Sequence, residues 1–198
     1  MRKVLFLPGA GGSADFWRPV ARRLPEAWDK VLFAWPGLGD EPADPAINGI
    51  GDLVRLVTAR IDEPVDLVAQ SIGGVIACRI ALDRPAVVRR LVLAVTSAGV
   101  DMAQFAAADW RADYRRQFPH AAAWITQQRA AEDLPVERIA APTLLIWGDA
   151  DPISPLAVGR HLERRLPRAK LHVVQGGDHG LASDRAELVA ALIAEHLT

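Results

Sequence analysis

A serine flanked by small residues stands where an apolar run gives way to a helical stretch, in Val65-Asp66-Leu67-Val68-Ala69-Gln70-Ser71-Ile72-Gly73-Gly74-Val75. The spacing is small-x-Ser-x-Gly, the pattern of a serine at the tip of a tight strand-to-helix turn. Such a turn strains the serine backbone, and large side chains two positions away on either side would collide with neighbouring elements. The chemistry open to this serine is attack on a carbonyl, provided a base takes its proton. Its place at the amino end of a helix puts partial positive charge beside it, and the Ile72 N–H is free to donate to a developing oxyanion. The same residues also suit a serine that only caps a helix begun by glycines, and the local motif alone leaves both readings open. A second residue with chemical potential is His179, in Gly176-Gly177-Asp178-His179-Gly180. It is the one histidine in a glycine-rich loop after an apolar run. His120, His161, His172 and His196 fall in helical or strand-like stretches.

The elements that must position these residues follow from hydropathy. Short, nearly continuous apolar runs lie at Lys3–Leu7, Val31–Trp35, Val65–Ala69, Leu91–Val95, Thr143–Trp147 and Leu171–Val174. Continuity rather than alternation predicts strands buried on both faces of a parallel sheet. Helical stretches lie between them. Residues 14–24 gather Phe16, Trp17, Val20, Ala21 and Leu24 on one side, and residues 50–61 gather Ile50, Leu53, Val54, Val57 and Ile61. Residues 72–84 are small and apolar, as a helix pressed on a sheet must be. Ser154 and Pro155 read as the cap and first-turn proline of a helix to Leu166, and Ser183 as the cap of the last helix. Strands alternating with helices predict a three-layer α/β/α fold of about six mostly parallel strands. Between Ser97 and Thr143 no strand is expected. This stretch, rich in alanine, arginine and aromatic residues, reads as a small helical lid over 98–138, inserted within a single domain spanning 1–198.

Composition narrows the function classes. Of 198 residues, 51% are hydrophobic and 24% charged, and the formal net charge is −1, which offers no basic stripe for nucleic acid. No run of about 20 apolar residues exists to span a bilayer. The apolar start breaks at Pro8-Gly9, short of a secretory signal core, and the single cysteine, Cys78, excludes an intrachain disulfide. A cytoplasmic location is expected, with Cys78 packed in the core. The loop at 9–12 lacks the Gly-Lys-Ser/Thr ending of a phosphate-binding loop.

Taken along its whole length, the chain resembles the α/β-hydrolase superfamily. Leu7-Pro8-Gly9-Ala10-Gly11-Gly12-Ser13 is similar to the family's oxyanion loop, with Pro8 where histidine is common. Trp35-Pro36-Gly37-Leu38-Gly39-Asp40 is similar to its Pro-Gly-x-Gly turn. Gly148-Asp149-Ala150-Asp151-Pro152-Ile153-Ser154-Pro155 resembles the segment carrying the catalytic acid, and the His179 loop resembles the one carrying the base. The order Ser, Asp, His is also that of this superfamily. The resemblance starts at the family's third strand, so its first antiparallel hairpin is expected to be absent.

The resemblance implies Ser71 as nucleophile, His179 as general base and Asp151 as the acid orienting it, with Asp149 a rival two residues earlier. It implies an oxyanion hole formed by the backbone N–H groups of Ala10 and Ile72. Trp35 and Trp147, at the ends of strands, are candidates for the substrate pocket or for core packing. The expected reaction is hydrolysis of a small-molecule carboxylic ester through an acyl-enzyme, with no metal or organic cofactor. Thioesters, lactones, carbon–carbon bonds of diketones and perhydrolysis draw on the same triad. A ligand receptor or signalling protein without turnover is the alternative of another class.

Overall fold

The computed structural model describes residues 1–127 and 133–198. Six strands form one sheet, β1 (Lys3–Leu7), β2 (Asp29–Leu32), β3 (Val65–Gln70), β4 (Val88–Ala94), β5 (Thr143–Gly148) and β6 (Ala169–Val174). Their order is β2-β1-β3-β4-β5-β6, and every pairing is parallel. The four inner strands are almost wholly buried, which is why their sequences run apolar without alternation.

The helices are α1 (Arg18–Ala21), α2 (Ile50–Thr58), α3 (Ile72–Asp83), α4 (Arg111–Gln117), α5 (Trp124–Gln127), α6 (Leu156–Arg165), α7 (Leu181–Asp184) and α8 (Ala186–Leu197). α1, α7 and α8 pack together on one side of the sheet. α2 packs on α3, which lies over β3 and β4, and α6 lies over β5 and β6. This is the three-layer α/β/α arrangement expected. The register aligns Leu7 with Ala69, Gln70 with Ala94, Ala94 with Ile146 and Gly148 with Val174. All carboxyl ends of these strands therefore open on one edge. The chain runs from β1 outward to β2 and then back across to β3, so the order reverses between β1 and β3. Open α/β sheets bind their ligands at such a reversal.

Several expected boundaries move. The second strand stops at Leu32, although the Phe33 and Trp35 N–H groups still donate, to Phe6 and Gly12 carbonyls. β1 keeps its expected bounds, ending at Leu7 because Pro8 has no N–H to extend the ladder. The stretch at 14–24 divides into a 3-10 turn (Ala14–Phe16) and α1. Ser183 does not cap the last helix. It lies inside α7, and α8 begins after Arg185 with no side-chain cap. Ser154 does not cap α6 either, because Pro155 takes the cap position. The Ser154 N–H is held by Asp151 and its carbonyl accepts from the Trp147 indole.

The connection from β4 to β5 carries short pieces in place of one crossover helix: 3-10 turns at Met102–Phe105 and Val136–Arg138, α4 and α5. Residues 128–132 of the stretch expected as a lid lie outside the described residues. Among the described residues no helix is long and apolar enough to cross a membrane.

Candidate active site

Ser71 sits between β3 and α3 with φ 52° and ψ −121°. A non-glycine residue held there costs about 1–3 kcal/mol. Two clamps offset that cost. The Ser71 N–H donates to the Ala94 carbonyl at 3.1 Å, and Thr96 Oγ1 donates to the Ser71 carbonyl at 2.6 Å. Each hydrogen bond contributes about 0.5–1.5 kcal/mol, so the pair is of the size the strain requires. The small neighbours are also explained by contact. A Cβ on Gly73 would lie 2.5 Å from the Leu7 carbonyl oxygen and 2.6 Å from that of Pro8. One on Gly74 would meet Thr96 Oγ1 at 2.4 Å.

The loop after β1 lies directly against this turn. A Cβ on Gly9 would stand 3.0 Å from Ser71 Cβ. Two indoles brace the loop from below, with Trp17 Nε1 donating to the Leu7 carbonyl at 3.0 Å and Trp35 Nε1 to that of Pro8 at 2.8 Å. Within the loop the Gly12 N–H donates to the Gly9 carbonyl at 3.1 Å. Among the described residues, the Ala10 and Ile72 N–H groups have no acceptor in the fold.

Asp151 follows β5 and is buried. Its Oδ1 accepts the Ile153 N–H at 2.8 Å and the Ser154 N–H at 3.1 Å, and its Oδ2 lies 2.8 Å from His179 Nδ1. His179 Nε2 lies 3.1 Å from Ser71 Oγ. A carboxylate has no proton to give. Nδ1 therefore carries the hydrogen, and Nε2 turns its lone pair to the serine hydroxyl. The acid and histidine loops are joined by backbone: the Ala150 N–H donates to the Gly177 carbonyl at 3.0 Å. Gln70 Nε2 ties the histidine loop to β3 through the His179 carbonyl at 3.2 Å.

The carboxylates nearest in sequence to Asp151 and His179 are occupied elsewhere. Asp149 is exposed and accepts the Gly176 N–H at 2.6 Å. Asp178 accepts the Gly180 N–H at 2.8 Å. Cys78 is fully buried, and burial pushes its thiol up to about 12.

A cavity of about 390 Å³ opens over Ser71 and His179. Its walls are mostly apolar, with Ile50, Val75, Val100, Met102, Ile125 and Ile153 among them, and its size suits a small-molecule site. Asp101, Asp109, Trp110 and Arg111 of the β4–β5 connection form part of the wall. Trp35 and Trp147 do not. Both are fully buried in the core, with their indole N–H groups bound to the Pro8 and Ser154 carbonyls. The pocket role considered for them is thus corrected to core packing. The cavity also holds a group that sequence reasoning passed over. Ser154 lines it, and its hydroxyl is buried with no hydrogen-bond partner among the described residues.

Comparison with known proteins agrees with this architecture. The model of the alpha/beta hydrolase family matches residues 4–192. The chain belongs to that family. A pimeloyl-[acyl-carrier protein] methyl ester esterase of Neisseria meningitidis serogroup B is 28% identical over 97% of this chain and 91% of its own. A poly(3-hydroxyalkanoate) depolymerase of Ectopseudomonas oleovorans is 25% identical over 98% of this chain and 83% of its own. Among solved structures, a meta-cleavage product hydrolase from Pseudomonas fluorescens IP01 superposes with a TM-score of 0.80 at 19% identity, covering 100% of this chain and 90% of that one. A bromoperoxidase from Bacillus anthracis does so with a TM-score of 0.81 at 18% identity, over 99% and 91%. These two attest the fold. The family and the curated relatives together support a hydrolase of the carboxylic-ester type.

Proposed function

We propose that this alpha/beta hydrolase cleaves small-molecule carboxylic esters through a covalent acyl-enzyme on Ser71. The observation that carries the reading is the unbroken hydrogen-bonded chain from Ser71 Oγ through His179 to buried Asp151, at the floor of an apolar cavity. In the first half-reaction the Ser71 oxygen bonds to the ester carbonyl carbon while its proton passes to His179 Nε2. The carbonyl π electrons move onto oxygen, and that oxyanion is received by the Ala10 and Ile72 N–H groups. Asp151 keeps the imidazole in the required tautomer and stabilises it when charged. Collapse of the tetrahedral species expels the alcohol, which takes the proton from His179. Water then repeats the sequence and releases the acid. The apolar walls favour an acyl group that is largely hydrocarbon. The β4–β5 connection serves as the lid over it. A cytoplasmic location fits a chain with one buried thiol and no partner for it.

A fluorophosphonate probe tests the reading, because it reacts with an activated serine. The wild type is expected to label at Ser71 and to hydrolyse p-nitrophenyl acyl esters, and Ser71→Ala to do neither. A folded wild type that stays unlabelled would overturn the mechanism and leave a ligand-binding protein on the same fold.

A further inference from the structure

Tyr114 lies on α4, far along the chain from the loop after β1. The residue is 8% exposed, with its ring set edge-on to Trp110 at 5.5 Å and tilted against Phe118 at 5.0 Å. Its hydroxyl leaves the helix and makes two bonds. It donates to the Ala10 carbonyl at 2.8 Å and accepts the Gly39 N–H at 2.8 Å. An amide N–H can only donate and a carbonyl can only accept, so the hydroxyl rotor has one orientation. Burial pushes the phenol above its usual range, which keeps the donated proton in place.

Ala10 is the residue whose N–H the proposed mechanism uses. Two peptide planes meet at its α-carbon, one bearing the N–H and the other the carbonyl. On the N–H side, Gly9 is seated against Ser71 and Gln70. On the other side, the carbonyl accepts no other hydrogen bond among the described residues. Gly11 is exposed, and a Cβ there would meet nothing within 4 Å. The Ala10–Gly11 peptide is the central one of the turn that the Gly12 N–H closes on the Gly9 carbonyl, and the Tyr114 hydroxyl sets the direction in which its carbonyl points.

We infer that Tyr114 is a positioning residue of the oxyanion hole: by holding the Ala10 carbonyl it sets the turn at the shared α-carbon, so that the Ala10 N–H on its other side meets the charge that develops on the substrate oxygen. The inference rests on the proposed function. Its consequence is specific to the transition state, because the uncharged ester gains little from that N–H. Loss of a whole oxyanion donor costs about 10²–10³ in kcat. Loosening one donor costs less, on the order of tenfold.

The test compares wild type, Tyr114→Phe and Phe118→Leu with p-nitrophenyl butyrate as substrate and an alkyl trifluoromethyl ketone as inhibitor. Ser71 Oγ bonds to the ketone carbonyl carbon while its proton passes to His179 Nε2, and the carbonyl π electrons move onto oxygen to give a tetrahedral oxyanion. Tyr114→Phe is expected to lower kcat about tenfold with KM changed less than about twofold. The ketone should weaken by the same factor as kcat. Phe118→Leu removes packing from the same ring but leaves the hydroxyl, so it should lower the melting temperature and leave kcat unchanged. A wild-type kcat in Tyr114→Phe would overturn the inference. So would a loss confined to KM, an unchanged ketone affinity, an equal kcat loss in Phe118→Leu, or a Tyr114→Phe protein that does not fold. Ser71→Ala as active as wild type would instead overturn the proposed function, and this role with it.

Discussion

Replacing Asp151 by asparagine separates orientation from charge at this site. Asp151 Oδ1 is held by two backbone donors, Ile153 N–H at 2.8 Å and Ser154 N–H at 3.1 Å. In Asp151→Asn the amide oxygen must keep that place, since the opposite flip would set an NH2 group against two N–H donors in a buried pocket. The amide nitrogen then faces His179 Nδ1 across the 2.8 Å now spanned by Oδ2. It can only donate there. Nδ1 must accept, Nε2 must carry the hydrogen, and the imidazole confronts Ser71 Oγ with a proton where it needs a lone pair. The wrong tautomer of such a base costs about 10⁴ in kcat, or about 5 kcal/mol of barrier. Both backbone bonds survive, so the melting temperature should move by only a few degrees. Asp149→Asn is the control. Its carboxylate accepts one N–H, from Gly176, and an amide oxygen can do the same, so turnover should stay near wild type. Steady-state hydrolysis of p-nitrophenyl butyrate by both variants, with melting curves, decides. If Asp149→Asn is the slower enzyme, or Asp151→Asn keeps a tenth of the activity, the assignment of the acid is wrong.

Gly73→Ala should destabilise the fold by about 3 kcal/mol, the upper part of what overpacking costs, because its Cβ would press on the Leu7 and Pro8 carbonyl oxygens; an unchanged urea midpoint would refute this. Cys78, with its thiol pushed up to about 12 by burial, should resist iodoacetamide in the folded protein and react once it is denatured; fast alkylation without denaturant would contradict it. His196 is half-buried, with Nε2 3.2 Å from the Pro142 carbonyl, and burial holds its imidazole below the usual range. The unfolded chain therefore takes up this proton first, and stability falls as the pH drops through about 6.5. His161 shifts in the same direction, through burial and then Arg165 and Arg164. The melting temperature should drop between about pH 7.5 and about pH 5.5, less so in His196→Gln; identical slopes would refute the role of His196.

What the sequence disclosed and what it hid follow from the range of the forces involved. The inner strands are legible because a strand covered on both faces must be apolar at nearly every position, as Val65 to Ala69 and Thr143 to Trp147 are apart from Thr143 and from Asp66, whose buried carboxylate is paired with Arg2 and Arg89. β4 begins earlier than its apolar run, at Val88, because Arg89 and Arg90 reach solvent from its bottom end. Ser71, Asp151 and His179 could be expected together because each follows a strand, and parallel strands bring all such points to one edge. The two tryptophans could not be placed. A strand-end indole serves a cavity or a core equally well, and the choice fell to carbonyls that β1 and the Asp151 loop leave unpaired, at Pro8 and Ser154. The caps read at Ser154 and Ser183 failed because a backbone in a functional loop can commit its groups elsewhere. Tyr114 stood out only as one of the aromatic residues of the stretch read as a lid. No local pattern tells that its hydroxyl ends on Ala10, which lies 104 residues away.

The connection between β4 and β5 leaves and re-enters the sheet at adjacent strands, paired from Leu91 with Thr143 to Ala94 with Ile146. Because the pairing is parallel, its ends lie at opposite edges of the sheet, Ala94 three residues (about 10 Å) above the level of Thr143, and they stay so whatever lies between them. The entropy of closing such a loop grows only logarithmically, about 0.6 kcal/mol for each doubling of length. The segment is in this sense a cassette. A lineage can lengthen, trim or exchange it and so re-line the upper wall of the cavity, while the hydrogen-bonded relay beneath keeps its register. A laboratory graft from a relative faces one added demand, which is to bring a hydroxyl back over the Ala10 carbonyl.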